Sequence, residues 1–159
     1  YVCNVDENGL VKGNKHVDAC LKKYGKNNVI IICAEIENQI MELDPKDRKY
    51  FMTETGIRET GLDLLIKTGY KILKLITFFT TTPKETRAWT ISKQCKAIKA
   101  AGLIHSDFEK GFIKAETISY DDFVFCKGNN EAKNTGKLRL EGKDYIVKDG
   151  EILYFRFST

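Results

Sequence analysis

A chain of 159 residues, 42% hydrophobic and 30% charged, is long enough for one ordinary domain or two small ones. No apolar run approaches the roughly 18–20 residues that a membrane-spanning helix needs, and no basic-apolar-small leader pattern occurs, so neither a membrane span nor a secretory signal is expected. The net charge of +4 is a mild excess, with 12 Lys/Arg against 11 Asp/Glu in residues 1–74 and 14 against 11 in residues 75–159, which is compatible with an anionic partner without requiring one.

The pattern begins with a short apolar strand, "YVCNV" (1–5), and a loop holding Gly9 and Gly13. Asn14 can cap a helix running to about Tyr24, with Val17, Ala19, Cys20 and Leu21 on one stripe and Gly25 as its stop. "NVIIICA" (28–34) is continuously apolar, the mark of a strand covered on both faces. A helix with Ile36, Ile40, Met41 and Leu43 at helical spacing follows. Strand, helix, strand, helix predicts a parallel, right-handed crossover in an open α/β sheet. Pro45 opens another helix to about Thr55, and residues 62–74 form an amphipathic helix carrying Leu62, Leu65, Ile66, Tyr70 and Leu73.

From residue 75 the texture changes. "LITFFTTT" (75–82) and "TRAWTIS" (86–92) flank a Pro83-Lys84-Glu85 turn and read as a hairpin. Residues 96–105 are a short helix and 111–119 a strand. Asp121 or Asp122 caps a helical turn holding Phe123, Val124 and Phe125. "KLRLEG", "DYIV" and "DGEILYFRF" are predicted strands separated by turns at Gly142 and Asp149-Gly150, with Leu153, Phe155 and Phe157 on one face of the last. Two strands, a helix and then more strands is the order of a β-grasp, ubiquitin-like fold. The expected class is therefore α+β, with a parallel α/β part in residues 1–74 and a β-grasp domain in residues 75–159. Two strands make a poor sheet on their own, and the chain opens inside a strand, so the first part is expected to be the truncated tail of a larger domain. Its apolar strand 28–34 is expected to offer an exposed sheet edge through which the chain self-associates.

The five cysteines, Cys3, Cys20, Cys33, Cys95 and Cys126, are odd in number and form no C-x-x-C. They point to a reducing compartment and to thiols acting as small hydrophobes. The segment "HSDFE" brings His105, Asp107 and Glu109 together in sequence and invites an acid-base reading, but Ile104, Phe108 and Phe112 at i, i+4, i+8 mark a packing stripe, and a helix-end hydrogen-bonding role is expected instead. The Asp121-Asp122 pair reads as a cap rather than a metal site, Trp89 as core and His16 as a surface residue. No catalytic or metal-ligating residue is assigned. The basic candidates for RNA contact are Arg87, Lys93, Lys96, Lys99, Lys110 and Lys114 around the hairpin and first helix, with a solvated face as the competing reading.

After the first strand stands Asn4-Val5-Asp6-Glu7, an N-x-x-E tetrad. In P-loop nucleotide-binding proteins such a loop reads the base: the usual pattern is N-K-x-D, with Asn holding the loop and the purine edge and the acid reading the Watson–Crick edge. Together with "ICAEIE", "LIKTGYKILKLITFFT", "ETRAWTI", "AAGLIHSDFEKGFIKAETISYDDF" and "LRLEGKDYIVKDGEILYFRF", it makes the chain resemble the Obg-like ATPase family, also called YchF, along essentially its whole length. The resemblance implies a GTPase-like P-loop domain that prefers ATP, used with Mg²⁺, followed by a TGS domain of β-grasp fold. It further implies base contacts at Asn4, Val5, Glu7, Cys33 and Ala34, a ribosome or RNA partner, and a cytoplasmic location. The chain departs from the family pattern at Thr82 and Gln94, where Gly is usual, at Ile98-Lys99, where Pro-Gln is usual, at Cys33 for Ser and at Gln39 for Glu. Neither the G-x-x-x-x-G-K-[ST] phosphate loop nor a D-x-x-G loop occurs in these 159 residues, so no hydrolysis is expected of them alone. The alternative is a stand-alone β-grasp module that binds RNA or protein and has no nucleotide role.

Overall fold

The structure, a computed structural model, describes residues 1–55 and 57–158. The chain divides into two compact units, Tyr1–Gly69 and Tyr70–Thr159.

In the first unit, β1 (Val2–Asn4) pairs in parallel with β2 (Ile30–Ile32), in the register Val2↔Ile30, Cys3↔Ile31 and Asn4↔Ile32. The ladder is extended at either end by Ile30 N–H to the Tyr1 carbonyl (2.8 Å) and Val5 N–H to the Ile32 carbonyl (2.9 Å). Between the strands lie α1 (Glu7–Lys12), α2 (Lys15–Tyr24) and one 3-10 turn (Lys26–Asn28). The loop expected around Gly9 is thus a helix: Asp6 accepts the Gly9 N–H at 2.7 Å and starts a turn that composition alone conceals. Asn14 caps α2 as its sequence requires, accepting from the N–H groups of His16 and Val17, both at 3.0 Å. Gly25, at φ 84°, ends it.

α3 (Ala34–Glu42) buries Ile40 completely, whereas Met41, expected on the same stripe, is 60% exposed. α4 (Pro45–Glu54) is locked to α3 by Arg48, whose guanidinium donates to the carbonyls of Ile40, Met41 and Leu43, the otherwise unsatisfied acceptors at the end of α3. α5 (Gly61–Ile72) begins where the Glu37 carboxylate accepts the N–H groups of Gly61 (2.6 Å) and Leu62 (3.2 Å). Its expected apolar stripe is not buried: Leu62, Leu65 and Ile66 are 38–50% exposed and Leu73, just past its end, 66%. β1 is likewise more open than its sequence suggests, with Val2 47% exposed, because among the described residues only β2 pairs with it and only on one edge.

The second unit is a five-stranded mixed sheet in the order β4-β3-β7-β5-β6. β3 (Leu75–Thr81) and β4 (Thr86–Ser92) form the expected hairpin, in register from Leu75↔Ser92 to Thr81↔Thr86. α6 (Ala97–Ile104) and α7 (Ser106–Lys110) follow, then β5 (Phe112–Ile118), α8 (Tyr120–Phe125), α9 (Asn129–Asn134), β6 (Arg139–Glu141) and β7 (Ile152–Phe157). β7 lies parallel to β3 and antiparallel to β5. The core beneath the sheet contains Ile76, Phe78, Ile91, Ala97, Ala100, Ala115, Val147 and Leu153, with the half-buried Trp89 against it. The Trp89 indole N–H donates to Thr80 Oγ1 at 2.9 Å, which satisfies its one polar atom. α6 can approach the sheet closely because alanines, not large residues, face it. Gly111 is fixed by a close approach: a Cβ there would run into the carbonyl oxygen of Ser158.

Three expectations change. Ser119, not Asp121, caps α8: its Oγ accepts the Asp122 N–H at 3.2 Å and donates to the Asp122 carboxylate at 2.6 Å. α9 forms without a sequence signal, since "NNEAKN" has no apolar period. "DYIV" is not a strand. Its backbone pairs instead with the segment entering α6, Ala97 N–H to the Tyr145 carbonyl (2.8 Å) and Val147 N–H to the Cys95 carbonyl (3.0 Å), so that Val147 enters the core from a loop.

That loop is held by a buried carboxylate. Glu151 is 3% exposed. Its oxygens accept from Arg139 Nη2 (2.6 Å), the Tyr145 hydroxyl (2.7 Å) and the Lys148 N–H (2.9 Å). Burial, and then the hydrogen bond to the Glu151 carboxylate, push the Tyr145 phenol up from 10.0 to about 12. Its value when folded lies above the unfolded one. Its stabilising contribution is therefore complete below about pH 10 and is lost as pH rises towards 12. Chemical denaturation at pH 9 and pH 11 is expected to show wild type losing more stability over this interval than Tyr145→Phe; equal losses would refute the assignment.

Candidate functional site

The tetrad lies at the C-terminal end of β1, and the Cys33-Ala34 segment at the C-terminal end of its parallel neighbour β2. In an open parallel sheet, the carboxyl ends of the strands are where loops converge on ligands. The two loops are joined directly: Asn4 Oδ1 accepts the Ala34 N–H at 3.0 Å, across 30 residues of sequence. Ala34 is the first residue of α3, so this bond also satisfies one of the unpaired N–H groups at that helix start, where Cys33 provides no side-chain cap. Val5 continues the β-ladder through its N–H and is half-buried. Glu7 is the first residue of α1, exposed, with its carboxylate near the positive end of the helix. Cys33 is 2% exposed, so its thiol belongs to the core.

A cavity of about 520 Å³ adjoins the tetrad, lined by Asn4, Val5 and Asp6 together with Cys3, Cys20 and His16. The structure joins Asn4 to Ala34, and neither Glu7, Cys33 nor Ala34 lines this cavity. It also places the Cys3 and Cys20 thiols against each other, a pairing that 17 residues of sequence separation conceal. Burial, and then the Cys20 thiol, hold the Cys3 thiol above its ordinary range. All five cysteines are free thiols.

In the second unit His105 stands at the α6–α7 junction and accepts the Asp107 N–H on Nδ1 at 3.2 Å, a capping role. Glu109 is paired with Lys99 at 2.5 Å, and His105 Nδ1 lies 3.4 Å from Asp107 Oδ2. Asp122 is engaged by Ser119 and by Lys137 (3.1 Å). Among the described residues, no group of three or more His, Cys, Asp or Glu side chains is placed to hold a metal ion. No helix of the described residues is long and apolar enough to cross a membrane.

Of the basic candidates, Arg87 pairs with Glu85 (2.7 Å), Lys96 with Asp144 (2.8 Å) and Lys99 with Glu109. Lys93 and Lys110 are exposed. Lys114 is half-buried on β5, near the Glu116 carboxylate, whose forked hydrogen bond from Arg156 (3.0 Å to each oxygen) holds it below its ordinary range.

Comparison with known proteins agrees with this architecture. The family model YchF-GTPase_C, described as "Protein of unknown function (DUF933)", matches residues 75–158. Two curated relatives, the "Ribosome-binding ATPase YchF" of Bacillus subtilis and that of Haemophilus influenzae, are each 48% identical over the whole of this chain. The chain spans 44% of their length. The "Structure of the Schizosaccharomyces pombe YchF GTPase" superimposes with a TM-score of 0.86 at 30% identity, over 98% of this chain and 42% of that one. A GTP binding protein from Pyrococcus horikoshii shares the fold, with a TM-score of 0.65 at 16% identity over 99% of this chain and 45% of that one.

Replacing Asn4 with Ala removes the acceptor for the Ala34 N–H. Amide hydrogen exchange at Ala34 is expected to accelerate while that of Ile40 in the core is unchanged, with a stability loss of about 0.5–1.5 kcal/mol. Unaltered protection at Ala34 would show that the bond does not hold the loop. In sequence and in superposition, the chain belongs to the YchF family.

Proposed function

We propose that residues 1–74 are the base-recognition end of a P-loop ATPase domain and that residues 75–159 are a TGS domain of β-grasp fold. In this reading they act within a longer cytoplasmic protein that hydrolyses ATP with Mg²⁺ and couples turnover to the ribosome or its RNA. The observation that carries the nucleotide half is the Asn4–Ala34 hydrogen bond, which ties the tetrad to the loop after β2 at the carboxyl ends of two parallel strands. The sheet order β4-β3-β7-β5-β6, with its first and last strands parallel at the centre, supports the β-grasp assignment. The relatives' names support the ribosome and the nucleotide, and they include both an ATPase and a GTPase.

The residues present fit the base rather than the phosphates. Asn4 orders the loop. Glu7, longer by one methylene than the Asp of the common motif, supplies the acceptor for an exocyclic amine. Val5, Cys33 and Ala34 contribute backbone. ATP supplies the phosphoryl group, and the phosphate loop and Mg²⁺ site that stabilise its transfer are assigned to sequence outside these residues. Residues 1–159 alone are accordingly assigned no hydrolysis.

The role of Glu7 is tested in the longer protein by measuring ATP and GTP affinities with Glu7→Asp. The shorter acid should shift preference towards GTP by about tenfold, which is about 1.4 kcal/mol; unchanged discrimination would remove Glu7 from the base site. The open edge of the β1–β2 sheet and the exposed leucines of α5 also favour self-association of residues 1–159. Light scattering should show mass rising with concentration, and a constant monomer mass would refute it.

A further inference from the structure

One groove of the second unit collects lysines from three separate segments. It has a volume of about 730 Å³ and is lined by Lys71 and Lys74 around the end of α5, Lys93 after β4, and Lys148 before β7. All four are exposed, and none has a carboxylate partner among the described residues. Asp149 also lines the groove, but one of its oxygens is committed to the Thr77 N–H at 2.8 Å. Four ammonium groups thus face one carboxylate across a concave surface, in contrast to Arg87, Lys96 and Lys99, whose charges are locally neutralised. Tyr70 forms part of the wall, its hydroxyl hydrogen-bonded to Thr90 Oγ1 at 2.9 Å, so the ring is held in place.

The backbone of this groove is unusual in a second, independent way. Among the described residues, three non-glycine residues have left-handed φ, namely Lys74 (53°), Gln94 (75°) and Lys127 (54°), and the first two line the groove. Such residues are strained, as a left-handed backbone is for any residue that carries a Cβ. They lie next to a short backbone bond, Lys93 N–H to the Lys74 carbonyl at 2.6 Å, which brings two lysine-bearing segments together.

We propose that this groove binds the phosphodiester backbone of single-stranded RNA, with Lys71, Lys74, Lys93 and Lys148 on phosphates and Tyr70 as a stacking surface for a base. Convergent unpaired cations together with an aromatic wall are what a single strand requires. An acidic peptide would use the charges but not the ring. The proposal rests on the ribosome-directed reading above and gives it a location. Of the six basic residues that the sequence pattern nominates for RNA contact, the groove includes only Lys93.

The test uses residues 1–159 and a fluorescein-labelled oligouridylate of about 15 nucleotides, followed by anisotropy over a range of salt. Lys71→Gln, Lys93→Gln and Lys148→Gln combined should weaken binding by about tenfold or more at low salt. They should also reduce the slope of log affinity against log salt by about 2, from three contacts at about 0.7 each. Arg87→Gln, Lys96→Gln and Lys99→Gln combined should change affinity by less than about twofold, since neighbouring carboxylates already neutralise these charges. Equal losses in the two triple variants, absence of binding by wild type, or equal affinity for a polyglutamate of the same length would each overturn the assignment. Co-sedimentation with ribosomes, run on wild type and the groove variant, separates the two readings. Pelleting that survives the groove substitutions overturns the groove and leaves ribosome binding standing. A wild type that fails to pellet removes the ribosome reading, while the oligouridylate result still decides the groove.

Discussion

The second unit depends on one buried charge. Glu151 sits at the entrance to β7 with its carboxylate accepting from Arg139, Tyr145 and the Lys148 backbone, and its own carbonyl accepts the Phe79 N–H of β3 at 2.8 Å. A buried carboxylate is tolerated only when its lone pairs are filled, and these partners fill them. The same few residues carry two further ties to β3: Gly150 N–H to the Thr77 carbonyl, and Thr77 N–H to Asp149 Oδ1, both at 2.8 Å. One short segment therefore docks β7, fixes the loop that feeds Val147 into the core, and sets Lys148 in the groove wall.

The two units divide the chemistry. The first offers a pair of loops at the ends of parallel strands, cross-braced by Asn4 and Ala34. The second offers a sheet whose basic surface is uneven: much of its positive charge is consumed in local ion pairs, and unpaired lysines gather where α5 ends, β4 ends and β7 begins. Charge counting across a half-chain registers only +3 for such an arrangement and hides where it is concentrated.

Local signals are legible in the residues themselves. Asn14 and Gly25 bracket α2, Pro45 opens α4, and the Pro83-Lys84-Glu85 turn sets the β3–β4 hairpin. Where the sequence misleads, a non-local partner or a competing neighbour decides the outcome. "DYIV" alternates like a strand, yet its backbone is claimed by the entry to α6. Asp121 looks like a cap, but Ser119 reaches the N–H first. The stripe on α5 predicts burial, but the described residues leave it exposed. The tetrad points to Asn4, while the bond from Ala34 depends on a register that no tetrad encodes. The resemblance implies glycine where Gln94 stands, and the backbone there is left-handed at φ 75°, a conformation that glycine adopts most readily.

The central place of β7 bears on how the second unit comes into being. Of the unit's strands β7 is synthesised last, yet it separates β3 from β5 and is the only strand joining the β3–β4 hairpin to the β5–β6 pair. β7 brings Ile152 beside Phe79, a contact between residues far apart in sequence. The sheet of this unit can therefore be completed only once β7 is available, and a chain cut within that strand would lack the strand that joins the β3–β4 hairpin to the β5–β6 pair.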